Sequence, residues 1–357
     1  MNLKNRIQKL RQKFTENEID GIVISQPENM YYLSGFDGSY GYLLITDQNT
    51  FLATDFRYIE QAKSQAPDYQ ISQITNGMAD WLPVLVSDLG LRKLGFESRH
   101  VTYFRYRCLA NALKTVQLQL IPLDGLVESL RAIKEPEEIE FIAKAAVITD
   151  NAFQYAEETI RPGLTETELS WLIEKFLREQ GSEDIPFHVI VASGPNAALP
   201  HAKPTSRKIN AGDPIIIDMG AKRSGYASDM TRTLYLGLPD DEFRKIYDIV
   251  LGAQLSALAI IREGMLGEQA DSIARTIIQE AGYGAAFGHS LGHGLGLETH
   301  ELPRLGPKSN DILTAGMVFT VEPGIYINGW GGVRIEDVVI MEKDELRVIS
   351  KTKKVRE

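Results

Sequence analysis

Apolar positions change period several times along the first third of the chain. Leu3, Ile7, Leu10 and Phe14 recur at helical spacing and predict an amphipathic first helix. Gly21-Ile22-Val23-Ile24 follows as a short buried strand. Tyr42-Leu43-Leu44-Ile45-Thr46 and Thr50-Phe51-Leu52-Ala53-Thr54 are β-rich runs on either side of Asp47-Gln48-Asn49, the pattern of a hairpin. Residues 55–66 predict a helix, and Lys93-Leu94-Gly95-Phe96-Glu97 a later strand. Residues 1–127 therefore read as a small α/β domain. Turn material at Pro122-Leu123-Asp124-Gly125 announces its end. Pro136, followed by Glu137 and Glu138, marks a new helix start, because proline suits the first helical position and acids face the positive end of the helix. Ile139, Ile142, Ala146 and Phe153 give that helix its apolar stripe. The second domain is placed at residues 128–357.

The second domain repeats itself. Ile160-Arg161-Pro162-Gly163 recurs as Ile261-Arg262-Glu263-Gly264, and each precedes an amphipathic helix that stops at a glycine 18 residues on, Gly181 or Gly282. Thr165 with Glu168 forms a capping box at the first of these helices. His201-Ala202-Lys203-Pro204 matches His300-Glu301-Leu302-Pro303. The run from Gly212 to Asp218-Met219-Gly220 matches the run from Gly316 to Glu322-Pro323-Gly324, with the acid at the same place in both. Offsets of 99 to 104 residues imply an α+β domain with pseudo-twofold symmetry that brings two equivalent acids to its centre.

Composition narrows the setting. A chain of 357 residues with 43% hydrophobic and 24% charged positions is globular and long enough for two cores. A net charge of −10 argues against nucleic acid as a partner. No apolar run approaches the ~20 residues of a membrane helix, and the basic N-terminal stretch lacks the apolar segment of a signal peptide. Cys108 is the one cysteine, so no internal disulfide forms and a reducing, cytoplasmic location is expected.

Asp218 ends the buried run Ile215-Ile216-Ile217, where a carboxylate is costly unless it is paired or metal-bound. A turn-capping role is the plain alternative for one such residue, but its duplicate Glu322 shares the predicament. Asp229 lies 11 residues beyond Asp218 across a turn, and Glu336 lies 14 beyond Glu322 across the glycine-rich turn 328–332. Residues 333–340 read as one strand, with Arg334, Glu336 and Val338 on one face. Four converging carboxylates would repel one another, and a divalent cation resolves that. Five of the six histidines fall between His188 and His300, and His293 sits in Gly292-His293-Gly294-Leu295-Gly296, where glycines permit close backbone approach. One imidazole and four carboxylates suit manganese, cobalt, iron or zinc, with no thiolate to select zinc. Two such ions ~3.5–4 Å apart can ionise a water near neutral pH, so no nucleophilic serine or cysteine is required.

The ordered set Asp218, Asp229, His293, Glu322 and Glu336, within Ile217-Asp218-Met219-Gly220, Ser228-Asp229-Met230-Thr231-Arg232, Gly292-His293-Gly294, Val321-Glu322-Pro323-Gly324 and Arg334-Ile335-Glu336-Asp337, resembles the pita-bread metallopeptidases of the aminopeptidase P and prolidase branch. Tyr31-Tyr32-Leu33-Ser34-Gly35-Phe36 resembles that branch's creatinase-like N-terminal domain. The resemblance implies two divalent metal ions per chain, manganese first. It implies that Asp218 binds one ion, His293 and Glu322 the other, and that Asp229 and Glu336 bridge both. It further implies catalytic roles for His201 and His300 and substrate contacts for His289 and Arg334. A hydroxide between the ions would cut Xaa-Pro bonds of small proline-containing peptides. An aminopeptidase is expected, with an Xaa-Pro dipeptidase as the alternative and a non-catalytic peptide-binding module as the alternative of a different class. A homodimer is also implied by the resemblance.

Overall fold

The computed structural model describes residues 2–354. The chain divides between Arg131 and Ala132 into two compact units. No helix of the described residues is long and apolar enough to cross a membrane.

The first unit alternates helices and strands: α1 (Leu3–Gln12), β1 (Gly21–Ile24), α2 (Pro27–Ser34), β2 (Tyr42–Thr46), β3 (Thr50–Thr54), α3 (Ile59–Gln65), β4 (Gln70–Gln73), α4 (Met78–Asp88), β5 (Lys93–Glu97), α5 (Tyr103–Ala112), β6 (Gln119–Leu123) and α6 (Leu126–Arg131). The strands form one sheet in the order β4-β3-β2-β1-β5-β6. β1, β2 and β3 run antiparallel to their neighbours among themselves, while β4, β5 and β6 add in parallel. The helix anticipated over 55–66 begins only at Ile59. Asp55 explains the delay, since its carboxylate takes the Arg57 backbone N–H at 3.0 Å and the Arg57 guanidinium at 2.6 Å, which favours a tight turn over a helix.

The second unit is two copies of one motif. The first comprises α7 (Pro136–Thr159), α8 (Glu166–Glu179), β7 (Ile190–Ser193), β8 (Pro214–Met219), β9 (Lys222–Arg223), β10 (Tyr226–Ala227) and β11 (Met230–Tyr235). The second comprises α9 (Asp241–Ile260), α10 (Gly267–Glu280), β12 (Gly292–Gly294), β13 (Glu301–Leu305), β14 (Val318–Val321), β15 (Gly324–Ile327), β16 (Gly331–Arg334), β17 (Asp337–Met341) and β18 (Leu346–Val348). β7-β8-β11 form one sheet and β12-β14-β17 the centre of its counterpart. Each helix pair buries its apolar stripe on its own sheet: Phe153, Leu169 and Ile173 meet Val191, Ile215 and Ile217, while Val250, Ala270 and Ala274 meet Phe319, Val321 and Val339. The repeat extends to single hydrogen bonds. Gly163 donates its N–H to the Ile209 carbonyl at 2.9 Å, and Gly264 donates to Leu313 at 2.8 Å.

The stretch 333–340 is not one strand. It breaks at Ile335 and Glu336, leaving β16 paired with β15 and β17 paired with β14. The break has a local cause. The Ile335 and Glu336 N–H groups turn to the Pro323 and Thr231 carbonyls, at 3.4 and 3.0 Å, and so leave both ladders.

Candidate metal and catalytic centre

The acids lie where strands end. Asp218 sits near the end of β8, Asp229 immediately before β11, Glu322 immediately after β14 and Glu336 immediately before β17. The β8–β11 pairing sets Met219 opposite Met230 and Asp218 opposite Thr231, which returns Asp229 towards Asp218. His293 is the middle residue of β12, and glycine on both sides is a steric requirement. A Cβ at Gly292 would fall 1.9 Å from the Thr320 carbonyl oxygen, and one at Gly294 2.1 Å from that of Leu302.

Single donor atoms of Asp229, His293 and Glu336 lie within 4.8 Å of one another. The His293 Nε2 is 3.3 Å from the Glu322 Oε1 and 3.7 Å from the Asp229 Oδ2. Its Nδ1 is 3.1 Å from the Gly294 carbonyl, which accepts only, so the network assigns the proton to Nδ1 and leaves the Nε2 lone pair aimed at carboxylates. Burial, then the charges of Glu336, Asp218 and Glu322, raises the Asp229 carboxyl well above its usual range. Burial, then Glu322 and Asp218, does the same to Glu336. Burial pushes Glu322 up to about 8 against the opposing effect of Arg334. The Asp218 Oδ1 is buried with no hydrogen-bond partner. A lone pair facing acids, an orphaned carboxylate oxygen and acids that resist ionising are what a divalent cation at this place would satisfy, so the residues fit a metal centre.

Around this cluster runs a second layer. The Arg334 Nη2 donates to the Asp218 Oδ2 at 2.6 Å, its Nε to the Thr231 Oγ1 at 3.0 Å, and its Nη1 to the Tyr326 hydroxyl at 2.9 Å and the Pro200 carbonyl at 3.2 Å. Thr231, accepting from Arg334, spends its own proton on the Glu336 Oε2 at 2.6 Å. Arg334 thus braces two acids, and most of its N–H groups are already engaged. Tyr326, accepting from Arg334, has its proton free for the His289 Nε2 at 2.9 Å, while the His289 Nδ1–H points to the Ser290 carbonyl at 2.8 Å. Burial holds His289 neutral, with its pKa down at about 4. Phe287 packs edge-on against the His289 ring, centroids 5.1 Å apart.

His300 lies tilted against His293 with centroids 4.0 Å apart, and burial followed by the neighbouring histidines lowers its pKa to about 4. His201 is exposed in the segment after β7 and is close enough to disfavour charge on both His289 and His300. His188 is exposed and takes no part in these contacts. The structure therefore gathers all nine residues singled out in the sequence. It adds Thr231 and Tyr326, which sequence reasoning passed over because neither titrates near neutrality. Thr231 stood inside a motif already noted, three residues from Ser228.

The sequence pattern of metallopeptidase family M24 matches residues 140–343, and that of the creatinase/prolidase N-terminal domain matches residues 6–133. The chain belongs to metallopeptidase family M24. Within the family it is 44% identical to a solved Xaa-Pro dipeptidase from Bacillus anthracis, covering 99% of each chain with a TM-score of 0.96. It is 38% identical over 355 residues to the Xaa-Pro dipeptidase of Pyrococcus furiosus, covering 99% of both. It is 37% identical to the X-Pro aminopeptidase structure from Thermotoga maritima, covering 96% of this chain and 99% of that one, with a TM-score of 0.88. The creatinase-like domain followed by a pita-bread catalytic domain is thereby established, and so is a metal-dependent peptidase rather than a non-catalytic module.

Proposed function

We propose that this family M24 enzyme hydrolyses the peptide bond on the amino side of proline and takes Xaa-Pro dipeptides as its preferred substrates. The carrying observation is the cluster of Asp229, His293 and Glu336 donor atoms with Glu322 against His293, set in a chain that matches named Xaa-Pro dipeptidases over 99% of its length. The aminopeptidase reading draws its support from the Thermotoga maritima protein. Manganese as the working ion is supported by the oxygen-rich donor set with its single imidazole. A cytoplasmic location is supported by the lone, exposed Cys108. A homodimer rests on the resemblance alone.

In this reading Asp218 would hold one ion, His293 and Glu322 would hold the other, and Asp229 and Glu336 would serve both. When bound, such ions would supply an ionised water and polarise the substrate carbonyl near neutral pH. The chain's own groups do the rest. Arg334 and Thr231 keep the Asp218 and Glu336 carboxylates from rotating. His300 and His201, on the rim, would donate N–H to the oxygen that gains charge and relay to the departing proline nitrogen the proton that the attacking water gives up. A neutral His300 suits the first task, since its N–H is present without a competing positive charge beside the ions. A bond before proline is a tertiary amide without N–H, so recognition must come from the ring. His289, neutral and with both nitrogens engaged by Tyr326 and Ser290, offers its carbon edges and Phe287 to that ring.

The test compares Ala-Pro, Ala-Pro-Ala and Ala-Ala-Ala at equal concentration with manganese. Ala-Pro is expected to be cut fastest. A preference for Ala-Pro-Ala would make the enzyme an aminopeptidase, and equal turnover of Ala-Ala-Ala would remove proline from its specificity.

A further inference from the structure

Asp337 follows Glu336 in the chain. Its carboxylate is fully buried, yet it takes no place in the cluster of proposed ligands. The Oδ1 accepts from the Arg232 Nη2 at 2.7 Å. The Oδ2 accepts from the Gln254 Nε2 at 2.9 Å and faces the Lys354 Nζ at 2.5 Å. Arg232 is itself buried, and its Nη1 donates to two carbonyls, that of Thr231 at 2.9 Å and that of Glu336. Thr231 and Glu336 are also joined directly, by the hydroxyl-to-carboxylate bond and by the Glu336 N–H on the Thr231 carbonyl at 3.0 Å. Arg232 therefore pins both backbones that set the position of the Glu336 carboxylate.

What pins Arg232 and Asp337 comes from the end of the described chain. The Arg232 Nη2 also donates to the Thr352 carbonyl at 2.8 Å, and the Lys354 Nζ donates to the Gln254 Oε1 at 2.9 Å. The same segment is tied down elsewhere. Asp150 on α7 takes the N–H groups of Lys351 and Thr352, at 3.0 and 2.9 Å, and the Thr352 hydroxyl at 2.6 Å. The Val338 N–H donates to the Ser350 Oγ at 3.1 Å. A stretch without secondary structure is thus held at Ser350, Lys351, Thr352 and Lys354, and the last two reach a buried charge pair one residue from a proposed ligand.

We propose that residues 350–354 form a positioning strap for the metal centre, in which Lys354 and Thr352 hold the Asp337–Arg232 pair and that pair fixes Glu336 and Thr231. The inference rests on the reading of Glu336 as a metal ligand. Outer partners of this kind set metal affinity without touching the ion, and their removal costs roughly 10–100-fold in affinity or activity.

The experiment titrates cobalt(II) into the metal-stripped full chain, reading the dissociation constants by calorimetry and the visible absorption of the bound ion. The thermal midpoint of each metal-free protein is recorded alongside. Lys354→Met, which keeps most of the stem and removes the cation, is expected to weaken at least one cobalt site by roughly 10–100-fold and to change the spectrum. Lys354→Arg, which keeps the cation, is expected to bind as the wild type does. Asp150→Ala, which loosens the strap from the helix side, should weaken the same site to a smaller degree. A lowered thermal midpoint with unchanged affinity and spectrum would mean that the strap only stabilises the fold, and would overturn the inference. Should Lys354→Met fail to fold, Asp150→Ala decides, and wild-type binding by that variant overturns it equally. Failure of the wild type itself to bind cobalt would instead remove the metal centre and the inference together.

Discussion

At the scale of single residues, the site divides into groups that would touch ions and groups that would touch substrate. Asp229→Ala and Glu336→Ala, as proposed bridges, are expected to abolish turnover and to weaken metal retention, read by elemental analysis after gel filtration. His300→Ala is expected to keep its metal and lose about 10²–10³-fold in kcat, as the loss of one transition-state donor would. A His300→Ala protein that sheds metal but regains its rate on reloading would reverse that division. Protonation gives an independent check. A carboxyl whose pKa is raised on folding contributes stability that is lost as pH climbs through the folded value. Glu322 sits at about 8 in the metal-free site, with Asp229 and Glu336 raised well above their usual range. His289 and His300, lowered to about 4, contribute stability that is complete once pH passes their ordinary 6.5. Between pH 6.5 and 8 the carboxylates therefore govern, and the metal-free enzyme should melt at a falling temperature across that window. The metal-loaded enzyme should not. Calorimetry that shows a constant gap between the two forms would contradict the assignment.

At the scale of elements, strands deliver the acids and buried side chains hold the loops. Glu166, in the first turn of α8, is fully buried and accepts from the Ser193 N–H at 2.8 Å, the Thr205 N–H at 3.0 Å and the Thr205 hydroxyl at 2.6 Å. It closes the segment 193–205 that carries His201. Glu166→Ala leaves the buried Ser193 N–H unpaired, at about 1–3 kcal/mol, and releases Thr205, so the denaturation midpoint should fall and kcat should drop as His201 loses its place. An unchanged midpoint would show that the loop holds itself. The sequence made the four acids legible because the duplication supplied each with a counterpart, and the glycines of 292–294 pointed to a crowded backbone. The edges of the strands were legible for the same reason that strands form there, namely β-branched runs closed by turns. What could not be read were contacts between residues far apart with no shared period. Arg232 meets Asp337 across 105 positions and Thr352 across 120. Nothing in the sequence sets Glu166 apart from Glu168 in the same helix turn, although Glu166 is buried. The split of 333–340 was hidden because every residue of the run is apolar or in the ligand motif, and carbonyls outside the run, those of Pro323 and Thr231, decide where the ladder breaks.

At the scale of the whole molecule, the site is a product of symmetry. Two copies of a helix pair over a small sheet each close around one apolar core, and the acids at their strand ends meet where the copies face each other. A duplicated scaffold makes two adjacent ions natural, because each copy brings acids of its own and either copy alone would give an incomplete set. Removal of metal by a chelator should inactivate the enzyme, and manganese or cobalt should restore it. The most direct test is anomalous scattering from crystals of the manganese-loaded protein. Two peaks ~3.5–4 Å apart are expected, enclosed by Asp218, Asp229, His293, Glu322 and Glu336. A single peak, or peaks at any other place in the chain, would contradict the two-ion centre.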